Sequence, residues 1–506
     1  MTQTQLTRKW FCASLAVSLL VAMPAAGQVI AQDLKLIASD AAANDNFGAA
    51  IGVSGGILII GAPGDDDAGN QSGSAYVVDT TTGQELFKLT ASDAGANDYF
   101  GNAVSISGST AIVGAASNES VYVFSTKTGQ ELFKLTASDG VSGDNFGNAV
   151  SVSGNTAVVA AFADDSQSGS VYVFDTTTGQ QQFKLMASDA TAGVFFGSSV
   201  SISGHTAVVG APYDNSAGSA YVFDISTGQQ LFKLIASDAG AGDQFGFAVS
   251  VSGNIAVIGA PFDTVSGTQT GSVYVFDITT GQQLFKLAGS DAGTGDQFGD
   301  DVSISDDIAI IGASTTNLFS GTAYLFDTNT GQQLFKLTAS HLGTGDRFGS
   351  AVSISGGTAV IGAYADDDSG TNAGAAYVFD GGPDIVQQPL GRVVMPGQTA
   401  MLDVVVAVPG NTQFAWRRNG EILVDGGNIS GAGTPTLSIV AGEGDVAYYD
   451  CVITGGLWGS GSSISTPVVL GLLADPNACF VDVNNDGLVN FFDISLFINA
   501  FNAGCP

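Results

Sequence analysis

The feature that most constrains this chain is an internal repeat of about fifty residues. A Phe-Gly pair recurs with its glycine at Gly48, Gly101, Gly147, Gly197, Gly246, Gly299 and Gly349, at spacings of 53, 46, 50, 49, 53 and 50 residues. Each unit has the same order, seen in FGFAVSVSGNIAVIGAPFD, then GSVYVFDITTG, then QQLFKLAGSDAGTGD. Apolar, β-branched and aromatic residues alternate with polar ones, and Gly, Asp, Ser and Thr punctuate them, which predicts four short strands per unit. The period of two and the frequent glycines exclude helix.

Four antiparallel strands cannot bury both faces alone, so each unit must lean on its neighbours. The ends of the array choose between an open stack and a ring. The FKL strand occurs at Phe87, Phe133, Phe183, Phe232, Phe285 and Phe335, and a seventh version, Leu34 to Leu36, precedes the first Phe-Gly pair. The last unit, ending in AAYVFD at Asp380, lacks its own copy. The N-terminal strand is therefore expected beside AAYVFD, closing a seven-bladed β-propeller over residues 33–380 and leaving no unprotected edge. The fold class expected for the whole chain is mainly β: this propeller, a linker at 381–392, a β-sandwich at 393–472, and a short calcium loop-helix module at 475–506.

Charge narrows the partners. The formal net charge is −33, and 42 of the 47 acids are Asp. Nucleic acid and anionic membrane surfaces are disfavoured, because both need a basic footprint. Strand order sorts the aspartates onto one rim: Asp65, Asp66, Asp67, Asp164, Asp165, Asp214, Asp263, Asp366, Asp367 and Asp368 between the second and third strands, and Asp93, Asp98, Asp139, Asp144, Asp238, Asp243, Asp291 and Asp296 between units. Such a rim gathers cations or steers a basic ligand; the competing reading is that each Asp caps its own turn. Phe100, Phe146, Phe196, Phe245, Phe298 and Phe348 read as core wedges. The lysines of FKL are expected to cover the outer strand with their stems while the ammonium reaches water.

Arg8 and Lys9 before an apolar run from Trp10 to Met23, then Ala25, Ala26 and Gly27, read as a secretory signal within residues 1–31. Cys12 leaves with it. Cys479 and Cys505 bracket the last module and are the expected disulfide in an oxidising compartment, leaving Cys451 free or bonded to another chain.

The Phe-Gly pairs from Phe47-Gly48 to Phe348-Gly349, together with GAP at Gly61 to Pro63, Gly210 to Pro212 and Gly259 to Pro261, resemble the FG-GAP repeats of integrin alpha-subunit propellers and of bacterial surface proteins. The resemblance implies extracellular adhesion or binding. It departs from the integrin pattern where calcium-binding repeats carry a DxDxDG-type loop between the first two strands; here that turn reads SGNT, SGHT or SGGT. Residues 393–472 resemble an immunoglobulin-like domain, with Trp416 on the third strand and Tyr449 two residues before Cys451; Leu402 and Val404 stand where the first cysteine of that family falls. In DVNNDGLVNFFD, Asp482, Asn484, Asp486, Asn490 and Asp493 offer side-chain oxygens, and Leu488 its carbonyl, in the spacing of a calcium loop. Asp at the last position resembles dockerin domains, although only one loop is present. A Ca2+ cofactor is expected there, with a cohesin-like or cell-envelope partner.

His205 and His341 stand in different repeats, and no HExxH, GxSxG or phosphate loop occurs. The expectation is a secreted or cell-surface binding and adhesion protein, probing an extracellular protein or glycan with its propeller face. The alternative is a dockerin-tagged extracellular polysaccharide-degrading or other hydrolytic component, which calls for two neighbouring carboxylates in a pocket with a raised pKa.

Overall fold

The computed structural model describes residues 28–30, 32–265, 267–383, 385–406, 412–456 and 462–472. The signal segment up to Gly27, the calcium loop and both Cys479 and Cys505 lie outside the described residues.

Each repeat forms a four-stranded antiparallel sheet whose strands follow one another from inside to outside. In the first sheet these are Ala50–Ser54, Ile57–Ala62, Ser74–Asp79 and Glu85–Leu89. The two middle strands, such as Ile57–Ala62 and Ser74–Asp79, are buried on both faces because neighbouring sheets stack against them, which explains their nearly continuous apolar sequence. The outer strand alternates. The seventh sheet is completed from the other end of the array: Leu34, Lys35 and Leu36 pair antiparallel with Val378, Tyr377 and Ala376. One apolar cluster joins Leu36, Val53, Leu58, Ile60 and Tyr76 to Val360, Ala376 and Val378, so the first and last sheets share a core. The innermost strands of all seven line an axial cavity of about 640 Å3. This arrangement is propeller-like, with Leu34–Leu36 where the sequence places it.

Two contacts repeat at the seams between sheets. At six of the seven seams the FG glycine of one sheet meets the GAP glycine of the sheet before it, backbone to backbone; opposite Gly197 that place is taken by Ala160. Gly101 has φ +95°, its N–H donates to Gly114 within its own sheet at 2.9 Å, and a Cβ on Gly61 would lie 2.0 Å from the Gly101 carbonyl oxygen. Only glycine fits both sides of that contact. Nearby, Phe100 is buried edge-on against Tyr122 and Phe124, at ring centroid distances of 5.5 and 5.9 Å, and its counterparts pack likewise. Serines of the inner strands add a second contact. Ser105 accepts the N–H of Val152 at 3.1 Å, Ser151 that of Ile202 at 3.2 Å, and the series runs round to Ser353, which accepts from Val53 of the first sheet at 3.1 Å. The Ser-x-Ser that recurs in six of the seven inner strands is a row of inter-sheet staples, a role sequence reading did not assign.

Two findings alter the expected boundaries. Residues Gln28–Ile30, within the segment read as signal, add a fifth, parallel strand to the outer edge of the sixth sheet. There Phe335 is 1% exposed, while its counterparts on uncovered edges are only partly buried. The stretch read as a linker contains the strand Ile385–Gln387, paired antiparallel with Val405–Val406; its alternation is too short to register in sequence.

From there to Leu472, a larger sheet ordered Arg392–Val394, Val468–Leu472, Ala447–Thr454, Gln413–Arg418 and Glu421–Ile422, with Ser462–Ile464 also on Ala447–Thr454, faces a three-stranded one built from Thr399–Asp403, Thr436–Val440 and Ile429–Ser430. Leu402, Leu437 and Ile439 of the smaller sheet share a core with Trp416, Tyr449 and Cys451 of the larger. Among the described residues Cys451 is a free, buried thiol in register with Trp416.

Replacing Gly101 by Ala forces a side chain into the left-handed region and towards the Ser74 carbonyl, 2.4 Å from the Cβ position. We expect a loss of about 2 kcal/mol or more, read as a lower urea midpoint for the propeller-like transition; an unchanged midpoint would show that the seam does not depend on this backbone contact.

Candidate functional site

The aspartates gather on one face, as strand order requires, but most are engaged within the fold. In the first repeat, the Lys88 ammonium lies 2.5 Å from Asp40, 2.8 Å from Asp65 and 2.5 Å from Asp67. The Tyr76 hydroxyl faces Asp40 and Asp65 at 2.8 and 2.9 Å. A phenol has one proton, so it donates to one carboxylate at a time, and the ammonium makes the other close approach tolerable. The arrangement recurs. In all seven repeats the FKL or LKL lysine stands 5.2–5.6 Å from the centroid of the tyrosine ring. Lys184 bridges Asp139 and Asp164, Lys233 bridges Asp189 and Asp214, and Lys286 bridges Asp238 and Asp263, all within 2.5–2.7 Å.

This corrects the expectation that these ammonium groups reach into water. Their side chains are about one-fifth to one-third exposed, and the stem leads the charge into a cage of carboxylates. Coulomb attraction and charge-assisted hydrogen bonds outweigh hydration once the buried Asp after GAP needs a counter-charge. The tripeptide Ala-Ser-Asp, which precedes five of the seven Phe-Gly pairs, read together with the FKL lysine, is the signal that would have found Asp40 and Asp189, which sequence reading missed. Three repeats deviate. Asn118 and Thr316 replace the buried Asp in the second and sixth, and His341 takes the place of Asp40 in the seventh, where Lys35 pairs with Asp366 and Asp368. His205 and His341 are not brought together.

Electrostatics follow the geometry. Lys184 and the Tyr172 hydroxyl hold the Asp139 carboxyl below the ordinary range. Burial works against ionisation of Asp40, but hydrogen bonds from Lys88 and Tyr76 outweigh it and the pKa falls. Burial, then the carboxylates, pushes the Tyr76 hydroxyl far above its usual value. Asp98 and Asp243 are capping groups, accepting the backbone N–H of Gly95 at 2.7 Å and of Gly240 at 2.6 Å. The turn-capping reading thus holds for these residues.

Among the described residues, Asp40, Asp65 and Asp67 are a set of carboxylates close enough together to coordinate a cation, with oxygens within 4.8 Å of one another. The Lys88 ammonium stands at that point. Truncating it in Lys88→Ala leaves three carboxylates without their counter-charge and is expected to cost about 1–3 kcal/mol. Added Ca2+ is expected to restore part of the thermal midpoint in this variant while leaving the parent unmoved; a parent stabilised equally by Ca2+ would contradict the assignment.

The axial cavity holds a second departure from the repeat. Asp300 and Asp301 line it in the sixth sheet, where the other sheets carry, in order, Ala49-Ala50, Asn102-Ala103, Asn148-Ala149, Ser198-Ser199, Phe247-Ala248 and Ser350-Ala351. Sequence reading passed over them, although comparing the repeats with one another exposes them. Asp301 accepts the N–H of Val302 at 2.9 Å and of Val352 in the next sheet at 2.7 Å; Asp300 accepts the Ser314 hydroxyl. Burial raises Asp300 and pushes Asp301 up to about 7, despite the two N–H donors. The unfolded chain releases the Asp301 proton near the ordinary value of 3.8, the folded chain only near 7. Between those values the folded state retains a proton the unfolded state has lost, so stability falls as pH rises and stays reduced above 7. Relative to Asp301→Ala, which restores the alanine found in sister sheets, the parent is expected to lose about 1–3 kcal/mol between pH 4 and 7, measured by denaturant titration at each pH. A constant difference would refute it.

The calcium-loop residues Asp482, Asn484, Asp486, Leu488, Asn490 and Asp493 lie outside the described residues. No described helix is long and apolar enough to cross a membrane. No curated protein matches the sequence. Among solved structures, Kuenenia stuttgartiensis hydrazine synthase is similar over 68% of this chain and 97% of its own, at 17% identity and a TM-score of 0.47, too distant to transfer chemistry. The FG-GAP repeat model matches residues 30–78, 84–124, 130–174, 180–223, 229–276, 282–326 and 332–379, each copy running from the outer strand of one sheet into the third strand of the next. With seven copies spanning more than half its length, the chain belongs to the FG-GAP repeat family.

Proposed function

We propose that this is a secreted or cell-surface binding and adhesion protein that presents the acidic face of a closed seven-bladed propeller to an extracellular ligand. The observation that carries this reading is the one-sided carboxylate array. Its inner members are neutralised by lysine, which keeps the loops in place, while Asp67, Asp165 and Asp368 remain largely exposed at the outer edge of their cages. A fixed negative face of this kind steers basic groups. The FG-GAP repeat fold, associated with adhesion and binding, supports the reading.

The two-sheet module serves as an immunoglobulin-like spacer. Its Tyr449 hydroxyl donates to the Asp445 carbonyl at 2.9 Å, the contact of a tyrosine corner, and Trp416 occupies its core. The C-terminal segment holds Ca2+ through Asp482, Asn484, Asp486, Leu488, Asn490 and Asp493, and attaches the protein to a cohesin-like or cell-envelope partner.

Hydrolysis is the second reading, since Asp300 and Asp301 are neighbouring carboxylates with raised pKa values beside a cavity. Asp300 and Asp301 lie just ahead of the strand Val302–Ser305; Asp300 already accepts the Ser314 hydroxyl, and both Asp301 oxygens already accept backbone N–H groups. That leaves neither acid free for an acid-base pair.

Purified full-length chain is tested against cell-surface proteins and glycans with Ca2+ and with EDTA. Ligand binding that weakens with salt but survives chelation is the expected result, with attachment through the C-terminal segment lost in EDTA. Glycan hydrolysis abolished by Asp300→Ala would instead establish the second reading.

A further inference from the structure

In a sevenfold repeat the sister copies define what the fold requires, and a departure that adds nothing to the core points to selection for something else. The turn between the second and third strands provides such a case. Asn317, Leu318 and Phe319 of the sixth repeat have φ of 51, 62 and 66°, and Asp165, Ser166 and Gln167 of the third have 50, 64 and 66°. The two turns are superposable by hydrogen bonding as well: Gln167 and Phe319 each accept, through their carbonyl, the N–H of the residue before the next Phe-Gly, Phe195 at 3.0 Å and Arg347 at 2.8 Å. Gln71 and Asn372 hold the same position in the first and seventh repeats, accepting from Tyr99 and Asn46.

Polar residues suit this left-handed, solvent-facing turn, whereas bulky apolar ones are outliers there. The sixth repeat nevertheless places Leu318 and Phe319 in it, and they gain no burial: they are 75% and 47% exposed. They are also held in position. The Arg347 guanidinium stands 5.0 Å from the Phe319 ring and 5.9 Å from the Tyr364 ring, and the Gly321 N–H closes the turn onto Thr316 at 3.1 Å. The turn projects from the same face as the aspartates.

We propose that Leu318 and Phe319 form the apolar anchor of a protein-binding surface, and that its partner is a cationic segment with apolar side chains on one side, as in an amphipathic basic peptide. Charge complementarity selects this occupant: the surrounding loops are acidic, so a neutral or acidic apolar surface would be repelled or left unpaired. The proposal deepens, and rests on, the reading of the acidic face as a binding face. Exposed apolar residues of this kind, paired with aromatic and Arg neighbours, concentrate binding energy.

The test uses the full chain and a double variant, Leu318→Ser with Phe319→Gln, which grafts the third repeat's own residues into the sixth. Three labelled peptides are titrated at physiological salt: an amphipathic Lys/Leu peptide, a Lys/Ser peptide of equal charge, and a Glu/Leu peptide. The parent is expected to bind Lys/Leu about tenfold more tightly than Lys/Ser and not to bind Glu/Leu; the graft is expected to bring the two basic peptides within about twofold, with a thermal midpoint equal to or above the parent's. Equal affinities in the parent would overturn the anchor while leaving the acidic face standing, and no basic peptide binding would overturn both. A Lys/Leu preference that survives the graft, or parent binding to a polysaccharide that the graft abolishes, would also overturn the anchor as a protein site.

Discussion

Everything in the ring hangs on how closely two backbones approach at each seam. The Gly61 and Gly101 contact brings the first two sheets nearer than a Cβ on Gly61 allows, and that proximity sets the position of the Phe wedge, the serine staples and the loops that carry aspartate. Close packing of the two middle strands leaves little room for variation there, so chemistry is pushed to the loops and the outer strands.

Burying a carboxylate beneath those loops, as five of the seven repeats do, would be costly without a partner. The chain meets this locally. Seven of its nine lysines occupy the cages, so half of its 14 Lys and Arg side chains are committed to them. The large net negative charge is what remains after internal compensation, and it accumulates on one face because strand direction puts the same two loop types there in every repeat.

Much of this architecture was legible. The Phe-Gly spacing and the displaced LKL segment were enough to locate Leu34 beside Val378, because a missing strand at one end and a surplus strand at the other admit a simple pairing. The lysine cages were not legible, since alternation places Lys88 away from the apolar side of its strand but says nothing of loops contributed by Asp40 and Asp65. Asp300 and Asp301 were overlooked for a different reason: attention to what the repeats share conceals what one of them lacks. The strand at Ile385–Gln387 was too short to distinguish from a connector by pattern.

The seventh sheet is assembled from residues more than three hundred positions apart, and this governs how the molecule comes into being. Six sheets can form in order as the chain emerges, each leaning on the last, but Leu34–Leu36 has no partner strand until the final repeat arrives. Until then two raw edges face solvent, one at each end of the growing stack, and loop closure over so long a span is entropically slow. A chain interrupted before Asp380 would be an open stack with sticky ends, prey to proteases and to pairing with its own kind. Molecular quality control is thus written into the topology, because only a chain synthesised to the end of its last repeat can hide both edges.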